Sequence, residues 1–309
     1  MTVTVHRGVL TDPVAEAVRD LAAAARDVDG IEPLGEQTLL DLTRGEHALH
    51  VLADESSGAL VGYAQVTVPE PGPTEGGPAF ASGELVVRPD VRRRGVGRRL
   101  LATLLTAVPG PGPAGTGQGP RLAVWAHGDL PGAQALARSA HLDVVRELWR
   151  MSLPLAGRTV EVVRMPAAVG VRPFVVGTDE AALLDVNAQA FAWHPEQGHL
   201  DLADLEARER EPWFSAADVL LAERDGEVLG FAWLKVEPGS GDGELYVLGV
   251  APQAQGLGLG RALTSLAIEH LATRGLDRVV LFTEADNTAA VRTYTSAGFV
   301  RDRTDVQYA

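Results

Sequence analysis

The sequence predicts an α+β protein made of two tandem copies of one fold, each a mixed, mostly antiparallel sheet flanked by helices. Three observations carry this prediction. The 309 residues correspond to about two domains of ordinary size. A strand, a glycine-rich loop and a helix start occur twice, and matched pairs such as Gly95 and Gly258 are 163 positions apart. In each copy, adjacent strands come first and a strand–loop–helix unit follows, which is typical of a mixed sheet.

The elements of the first copy are predicted from hydrophobic periodicity and turn residues. A helix begins at Asp12, a capping residue type, and continues with an Ala/Val/Leu period. Two strand-like segments flank the Ser57-Gly58 turn region. The Pro- and Gly-rich residues 109–120 predict a flexible loop. The predicted elements are helices at 12–28, 96–107 and 132–140 and strands at 47–53, 60–68, 84–87, 121–126 and 143–153.

The second copy repeats this order after residues 156–168, which carry few signals and are predicted to be a linker. The predicted domains are therefore residues 1–155 and 169–309. Asp225-Gly226 is a typical turn pair between two strands. The predicted elements are helices at 179–191, 201–211, 260–274 and 288–297 and strands at 219–223, 228–236, 245–250, 279–283 and 299–308.

Composition limits the function. The net charge of −14, from 27 Lys and Arg against 41 Asp and Glu, argues against nucleic-acid and anionic-membrane binding and suits a cationic small substrate. The absence of cysteine excludes a disulfide framework, a thiolate zinc site and a catalytic thiol. The scattered histidines predict no metal site. No signal peptide or apolar run of about 20 residues is present, so we expect a cytoplasmic protein. We also expect a monomer.

The duplicated loop has the chemistry of an anion site. Its glycines let the backbone approach a ligand, and the N–H groups at a helix start favour negative charge. In both copies Val-x-Pro is followed by Arg/Gln-x-x-Gly-x-Gly, from Arg92 in the first and Gln255 in the second. This pattern is neither the Gly-x-Gly-x-x-Gly dinucleotide fingerprint nor a loop ending in Gly-Lys-Ser/Thr. The sequence therefore predicts a pyrophosphate-binding loop of another kind.

At these residues the sequence resembles the GCN5-related N-acetyltransferase (GNAT) superfamily, whose acyl-CoA loop has the form Gln/Arg-x-x-Gly-x-Gly/Ala. The second copy adds that superfamily's other hallmark, Asn287-x-x-Ala290-x-x-x-Tyr294-x-x-x-Gly298-Phe299. The resemblance implies acetyl-CoA as co-substrate. The implied acetyl-CoA-binding residues are Leu85, Val86, Val87, Arg93, Arg94, Gly95, Val96, Gly97, Arg98, Leu248, Gly249, Val250, Gln255, Gly256, Leu257, Gly258, Leu259, Gly260, Arg261, Asn287, Thr288, Ala289, Ala290, Val291 and Arg292.

Tyr294 and Glu244 are the candidate catalytic residues. Acyl transfer to an amine needs a neutral amine, a stabilised oxyanion and preferably a proton for the departing thiolate. Tyr294 stands where the superfamily places the proton donor; the alternative is a half-buried packing tyrosine. Glu244 begins the strand that leads to the thioester and is the candidate base, acting through water; the alternative is an exposed structural carboxylate. Aligning Leu142 with Phe299 places Ala137 opposite Tyr294. We therefore expect a non-catalytic first domain that binds acetyl-CoA and a catalytic second domain.

Several segments go further and resemble the mycothiol synthase family. They are Gly35-Glu36-Gln37, Asn187-Ala-Gln-Ala-Phe191, His194-Pro-Glu-Gln-Gly198, Trp233-Leu-Lys-Val236 and Gly243-Glu-Leu-Tyr-Val-Leu-Gly-Val250. That family acetylates the cysteinyl amine of a cysteine–glucosamine–inositol conjugate. The resemblance implies that this substrate contacts Glu36, Glu196, Lys235, Glu244 and Phe282. At Phe282 the family usually has tyrosine, so the hydroxyl contact expected there is absent.

Lys235 is the only lysine of the chain, and lysine offers a compact donor that arginine cannot mimic. A solvated surface lysine is the alternative. Trp193, Trp213 and Trp233 are predicted to be core or cleft-wall residues. Two other functions stay open from the residues alone. One is acetylation of another amine, such as a protein N-terminus or an aminoglycoside-like antibiotic; the other is a non-catalytic acetyl-CoA-binding module.

Overall fold

A computed structural model of the chain describes residues 1–45, 47–67, 80–108, 120–158, 160, 163–192 and 197–309. The chain divides into two compact units, Met1–Leu148 with Thr304–Ala309, and Trp149–Arg303. The domain limits proposed from the sequence, with a linker at 156–168, stay a prediction. The predicted flexible loop lies outside the described residues apart from Pro120. Among the described residues, none of the helices combines the length and apolar character needed to cross a lipid bilayer.

The first unit is a mixed sheet with helices on both faces. The strands β1 to β4 pair antiparallel in order, β4 pairs parallel with β5, and residues 306–308 pair antiparallel with β5. One core packs α1 against Leu52, Tyr63 and Val86, and another packs α3 against Val51 and other residues of the opposite face. The elements are β1 (Thr2–Arg7), α1 (Asp12–Asp29), α2 (Glu36–Arg44), β2 (Ala48–Asp54), β3 (Leu60–Thr67), β4 (Phe80–Val87), α3 (Val96–Ala107), β5 (Arg121–Ala126) and α4 (Pro131–Ser139).

The second unit has the same order of pairing. The strands β7 to β10 pair antiparallel in order, and β10 pairs parallel with β11. Its elements, with the two strands that cross the unit limits, are β6 (Val144–Pro154), β7 (Gly170–Pro173), α5 (Glu180–Ala190), α6 (Leu202–Glu209), β8 (Val219–Arg224), β9 (Glu227–Lys235), β10 (Asp242–Val250), α7 (Leu259–Thr273), β11 (Arg278–Glu284), α8 (Thr288–Ala297) and β12 (Val300–Tyr308).

The predicted fold class, two copies of a mixed, mostly antiparallel sheet flanked by helices, is confirmed. The predicted helices and strands have counterparts in the structure, most of them with bounds shifted by one or two residues. Three elements were not predicted: β1, α2 and β7. They are six, nine and four residues long, so each offers little periodicity from which to recognise it.

Candidate functional site

The two glycine-rich loops have the same backbone conformation. Gly95 and Gly258 both adopt left-handed φ angles, 86° and 83°, immediately before α3 and α7. Two positions earlier, Arg93 and Gly256 are also left-handed, with φ of 64° and 76°. A Cβ added at Gly258 would meet nothing within 4 Å, so the space beside the loop is open to a ligand. The N–H groups at the start of each helix then provide an anion site.

The first residue of each loop ties the loop to its strand. Nε of Arg92 donates to the carbonyl of Val87 at 3.0 Å, and Nε2 of Gln255 donates to the carbonyl of Val250 at 3.2 Å. These contacts are related by the same 163-residue offset as the motif. The repeat seen in the sequence is thus a repeat of structure, in which arginine and glutamine perform the same task.

Each strand that enters a loop leaves its parallel neighbour before the loop begins. In the described residues, the pairing of β10 with β11 ends at Leu245 with Leu281, and that of β4 with β5 ends at Gly83 with Val124. Peptide groups of β10 from residue 246 onward therefore face a gap between the strands. A strand edge of this kind offers backbone donors and acceptors to an extended ligand such as a pantetheine chain.

Tyr294 lies on α8, the helix that follows β11. Asn287 caps the helix by accepting a hydrogen bond from the N–H of Ala290 at 3.1 Å, and Gly298 ends it with a φ of 98°. The ring of Tyr294 packs edge-on against Phe299, 6.0 Å between centroids, in the core that also contains Leu248 and Val250. Burial raises the pKa of Tyr294 to about 12. Its hydroxyl therefore stays protonated throughout the physiological pH range.

The first unit has alanine at the position of Tyr294. The N–H of Phe299 donates to the carbonyl of Tyr294 at 3.0 Å, and the N–H of Leu142 donates to the carbonyl of Ala137 at 3.1 Å. The residue immediately before that donor is left-handed in both units: Gly298 in the second and His141 in the first. Ala137 and Tyr294 thus occupy equivalent backbone positions, and the hydroxyl of the second unit has no counterpart on the equivalent helix.

Glu244 and Lys235 are neighbours on adjacent strands. Their Cα atoms are register partners across β10 and β9, and a bulge at Tyr246 follows at once. Glu244 is half-buried, whereas the Lys235 side chain is only 12% exposed. The interpretation of Lys235 as a solvated surface lysine is therefore wrong. Glu244 and Lys235 are thus backbone neighbours near the point where β10 leaves β11.

The remaining predicted substrate residues are placed as follows. Glu36 is the first residue of α2 in the first unit and is half-buried. Phe282 on β11 is 36% exposed, and the guanidinium of Arg303 lies 5.4 Å from its ring centroid. Glu196 lies outside the described residues, as do Trp193 and His194.

Gln197, the residue after Glu196, is bonded to α5. The buried side chain of Asn187 on α5 donates to the carbonyl of Gln197 at 2.6 Å and accepts from the Gln197 amide at 3.0 Å. This pair fixes the residue that follows Glu196 against a helix of the second unit. Residues from the predicted Asn187–Phe191 and His194–Gly198 segments are thereby brought together.

The first unit contains a cleft of about 740 Å³ at its loop. Its lining includes the predicted residues Leu85, Val86, Val87, Arg93, Gly95, Val96, Gly97 and Arg98. Arg94 of the same loop is exposed and is not among the described residues that line the cleft. Arg92 is held by a bidentate ion pair with Asp29, 2.7 Å for each contact. Ala137 and Tyr308 also line the cleft.

One residue of the cleft lining, His127, belongs to a buried ion network. His127 lies between Glu84, 2.8 Å from Nε2, and Asp305, 3.4 Å from Nδ1. Burial alone would lower the pKa of His127, but the two carboxylates outweigh it and raise the pKa to about 10. Burial likewise opposes ionisation of Glu84, but His127 and the N–H of Gly35 hold its pKa below the usual value. Glu84 is thus a structural anion.

Replacing His127 with Ala is expected to lower the free energy of unfolding by about 3 kcal/mol near pH 6, because two buried carboxylates lose their cation. The pKa of His127 is higher in the folded unit than in the unfolded chain. Its contribution is therefore complete below about pH 6.5 and disappears as the pH rises towards 10. Denaturant unfolding at pH 6 and pH 10 measures this difference. His6→Ala, at an exposed histidine of β1, is the control; an equal loss at both pH values would contradict the ionic role.

Metal chemistry has no evident ligand set here. Within the described ranges, no group of three or more His, Asp or Glu side chains is placed to hold a metal ion. The second unit contains an open loop, a strand edge, a buried tyrosine hydroxyl, and Glu244 and Lys235 as backbone neighbours.

Comparison with known proteins places this geometry in a family. The acetyltransferase (GNAT) family matches residues 15–112 and 183–299. The mycothiol acetyltransferase of Cellulomonas flavigena is 50% identical over 99% of this chain and 88% of its own length. That of Sanguibacter keddieii is 48% identical over 99% of this chain and 96% of its own. The chain belongs to the mycothiol acetyltransferases of the GNAT family. The resemblance found in the sequence is confirmed.

Solved structures show the same fold at low identity. A tandem GNAT protein from the clavulanic acid biosynthesis pathway matches with a TM-score of 0.72 at 18% identity, covering 99% of this chain and 98% of its own. A GCN5-related N-acetyltransferase from Sphaerobacter thermophilus matches with a TM-score of 0.66 at 22% identity, covering 99% and 94%. The tandem arrangement is therefore a recurring form of this acetyltransferase fold.

Proposed function

We propose that this acetyltransferase transfers the acetyl group of acetyl-CoA to the cysteinyl amine of a cysteine–glucosamine–inositol conjugate, giving mycothiol and CoA. The observation that carries the proposal is the placement of the buried Tyr294 on α8, in the core against which Leu248 and Val250 of β10 pack. The identity of nearly half with mycothiol acetyltransferases over almost the whole chain supports the choice of substrate. The family membership argues against a non-catalytic module.

The second unit offers a group for each step. Glu244, through a water molecule, accepts the proton of the substrate ammonium, and the neutral nitrogen attacks the thioester carbonyl. Backbone N–H groups of β10 beyond the bulge stabilise the oxyanion. The carbon–sulfur bond then breaks, the sulfur takes the proton of the Tyr294 hydroxyl, and the nitrogen loses its second proton through water to solvent. The products are the amide and the CoA thiol; Glu244 releases its proton to solvent and Tyr294 is reprotonated from solvent, so one proton is released in all.

Acetyl-CoA fits the loop of the second unit on structural grounds. Gly256 and Gly258 leave open space where side chains would stand, and the N–H groups at the start of α7 suit its pyrophosphate. Leu248, Gly249 and Val250 would pair with the pantetheine, and residues 287–292 at the start of α8 would flank it. No metal is required for this arrangement.

The sugar conjugate would be recognised by Glu36, Glu196, Lys235, Glu244 and Phe282. Its ammonium suits the acidic groups, and its many hydroxyls suit both carboxylates and the lysine ammonium. Phe282 offers an aromatic face without a hydroxyl. These roles rest on the family resemblance together with the adjacent placement of Lys235 and Glu244.

The first unit is proposed to bind acetyl-CoA without turning it over. Its loop has the conformation of the second, and its cleft is lined by the predicted residues, but Ala137 stands where the proton donor would be. The chain is further proposed to act as a monomer in the cytoplasm, where acetyl-CoA and a small polar substrate are both available.

An amine panel tests the proposed substrate. The protein is assayed for CoA release with the cysteine–glucosamine–inositol conjugate, its serine analogue, an aminoglycoside and a peptide with a free N-terminus. We expect kcat/KM to be highest for the cysteinyl conjugate. A peptide or aminoglycoside acetylated as efficiently would overturn the substrate assignment, and acetyl-CoA binding without turnover on any amine would overturn the enzymatic one.

Gly258→Ala is expected to raise the KM for acetyl-CoA about tenfold. A left-handed φ of 83° costs a residue with a Cβ about 1–2 kcal/mol, and the new methyl group would enter the space reserved for the ligand. Gly226→Ala is a matched control, since Gly226 has a φ of 82° and equally open surroundings in the turn between β8 and β9. The KM of each variant is measured from initial rates against acetyl-CoA concentration. An equal increase of KM in both variants would mean that backbone strain, and not the lost ligand space, causes the effect.

A further inference from the structure

The ammonium of Lys235 lies over aromatic rings. Nζ is 4.6 Å from the ring centroid of Trp213 and 5.5 Å from that of Tyr246. It also forms an ion pair with Glu237, 3.0 Å away, whose side chain is 56% exposed. A cation is attracted to the face of an aromatic ring, most strongly when it is shielded from water. With its side chain 12% exposed, Lys235 satisfies that condition.

The rings beneath Lys235 form one packed cluster, which we call the aromatic platform: Trp213, Phe214, Trp233 and Tyr246. Tyr246 lies 5.4 Å from both Trp213 and Trp233, measured between ring centroids. Phe214 meets Trp213 and Trp233 at 6.5 and 6.1 Å. Trp213 and Trp233 are 5% and 1% exposed. Rings packed this closely have few alternative rotamers, so the platform presents fixed faces to the ammonium.

Tyr246 is held from its other end as well. It is the extra residue of the β10 bulge, one residue past the register partner of Leu234, and bulges re-aim side chains. Its hydroxyl accepts a hydrogen bond from Nε of Arg208 on α6 at 2.9 Å. The Arg208 side chain is 12% exposed. Helix α6 and the bulge thus fix the ring that lies under the lysine.

Lysine without such support is a poor positioning group. Its stem carries about 2 kcal/mol of rotamer entropy, which binding a substrate would have to overcome. Two ring faces that orient the ammonium in advance reduce this cost. Glu237 is mostly exposed and can turn to solvent when a substrate oxygen takes its place beside Nζ.

We propose that Trp213 and Tyr246 are positioning residues for substrate binding, which hold the Lys235 ammonium ready for an oxygen of the sugar conjugate beside Glu244. This inference rests on the proposed function, because it takes Lys235 as a substrate-binding group. It adds that the affinity for the sugar substrate depends on two aromatic faces that need not touch the substrate.

The test is a double-mutant cycle on initial rates with the full-length chain. Trp213→Leu is expected to raise the KM for the sugar conjugate about tenfold, with kcat and the KM for acetyl-CoA within about twofold of the parent. In a Lys235→Ala background, the same change is expected to have no further effect on KM. A KM increase of equal size in both backgrounds would overturn the proposal, because Trp213 would then act independently of the lysine.

A second pair of variants protects the test against simple misfolding. Tyr246→Phe keeps the ring and removes the bond to Arg208, whereas Tyr246→Leu removes the ring face. We expect the KM increase to be several times larger for leucine, with thermal melting followed for each variant. Equal increases would also overturn the proposal. If Lys235→Ala itself leaves the KM unchanged, the substrate role of Lys235 in the proposed function is wrong, and this outcome is distinct from a failure of the platform.

Discussion

Replacing Tyr294 with Phe is expected to lower kcat about 100-fold, which is the lower range for loss of a general acid. Phenylalanine fills the same space against Phe299 in the core, so packing is retained. What is lost is the proton for the departing sulfur, which must then leave as a thiolate. The KM values should change little, because the hydroxyl acts late in the reaction. Steady-state rates with the cysteinyl conjugate measure the effect.

The pH dependence of kcat is a second test of the proton-donor role of Tyr294. Its pKa is raised to about 12 by burial, so the hydroxyl stays protonated at lower pH. We therefore expect the kcat of the wild type not to fall between pH 8 and 10 through ionisation of Tyr294. The pH profile of Tyr294→Phe should be parallel to it over this range, at a lower kcat. Tyr63→Phe is the matched control, since it deletes a buried hydroxyl of the first unit that bonds to His50 and Gln65. It should lower stability by about 1 kcal/mol and leave kcat unchanged.

Full turnover in Tyr294→Phe would contradict the proton-donor role. It would also remove the argument that Ala137 disables the first unit. If the hydroxyl of Tyr294 is dispensable, an alanine at the equivalent position is no defect. Catalysis by the first unit would be tested next, through the cleft beside Ala137.

The duplicated loop was predictable because its function needs particular residues at fixed positions. Left-handed backbone at Gly95 and Gly258 explains why glycine recurs there 163 residues apart. Arg93 shows the limit of this reasoning, since it adopts the left-handed conformation that Gly256 adopts in the other copy. Asparagine, aspartate and glycine usually mark such positions, and an arginine gives no sign of one.

The environment of each candidate residue was less predictable. The neighbours of Lys235 come from β10 and from the segment after α6, and no spacing in the sequence indicates that Trp213 and Tyr246 meet beneath its ammonium. The same holds for His127, whose partners Glu84 and Asp305 lie on distant segments. Contacts of this kind depend on strand order and register, which local patterns do not fix.

Two carboxylates in similar sequence contexts have different surroundings, and they are not equivalent positions, because the 163-residue offset of the loops places Glu84 opposite Val247. Glu84 and Glu244 both stand in a Gly-Glu-Leu sequence on the strand that enters a loop. Glu84 is buried and neutralised by His127, with its other oxygen bonded to the N–H of Gly35. Glu244 is half-buried beside Lys235 at the point where β10 leaves β11. Glu84 is therefore engaged in an ion pair within the first unit, whereas Glu244, the proposed base, lies beside the lysine proposed to bind the substrate.

Glu244→Gln is expected to lower kcat/KM for the sugar conjugate about tenfold at pH 7, because only about a tenth of the substrate amine is neutral at that pH without a base. Glutamine has nearly the same shape and still accepts a hydrogen bond, but it cannot take a proton from the substrate ammonium. An α-amine has a pKa of about 7.7–8.0, so most of the substrate is protonated at neutral pH. Above pH 9 the amine is neutral without help. The deficit of the variant should therefore shrink as the pH rises, and rates at pH 7 and 9.5 measure it.

Glu227→Gln is the matched control, since Glu227 is an exposed carboxylate at the start of β9 in the same sheet. It should leave kcat/KM unchanged at both pH values. A Glu244→Gln deficit that is the same at pH 7 and 9.5 would mean that Glu244 binds the substrate without removing its proton. Only the loss of a base gives a deficit that depends on pH. The comparison of the two pH values therefore distinguishes a catalytic base from a residue that only contacts the substrate.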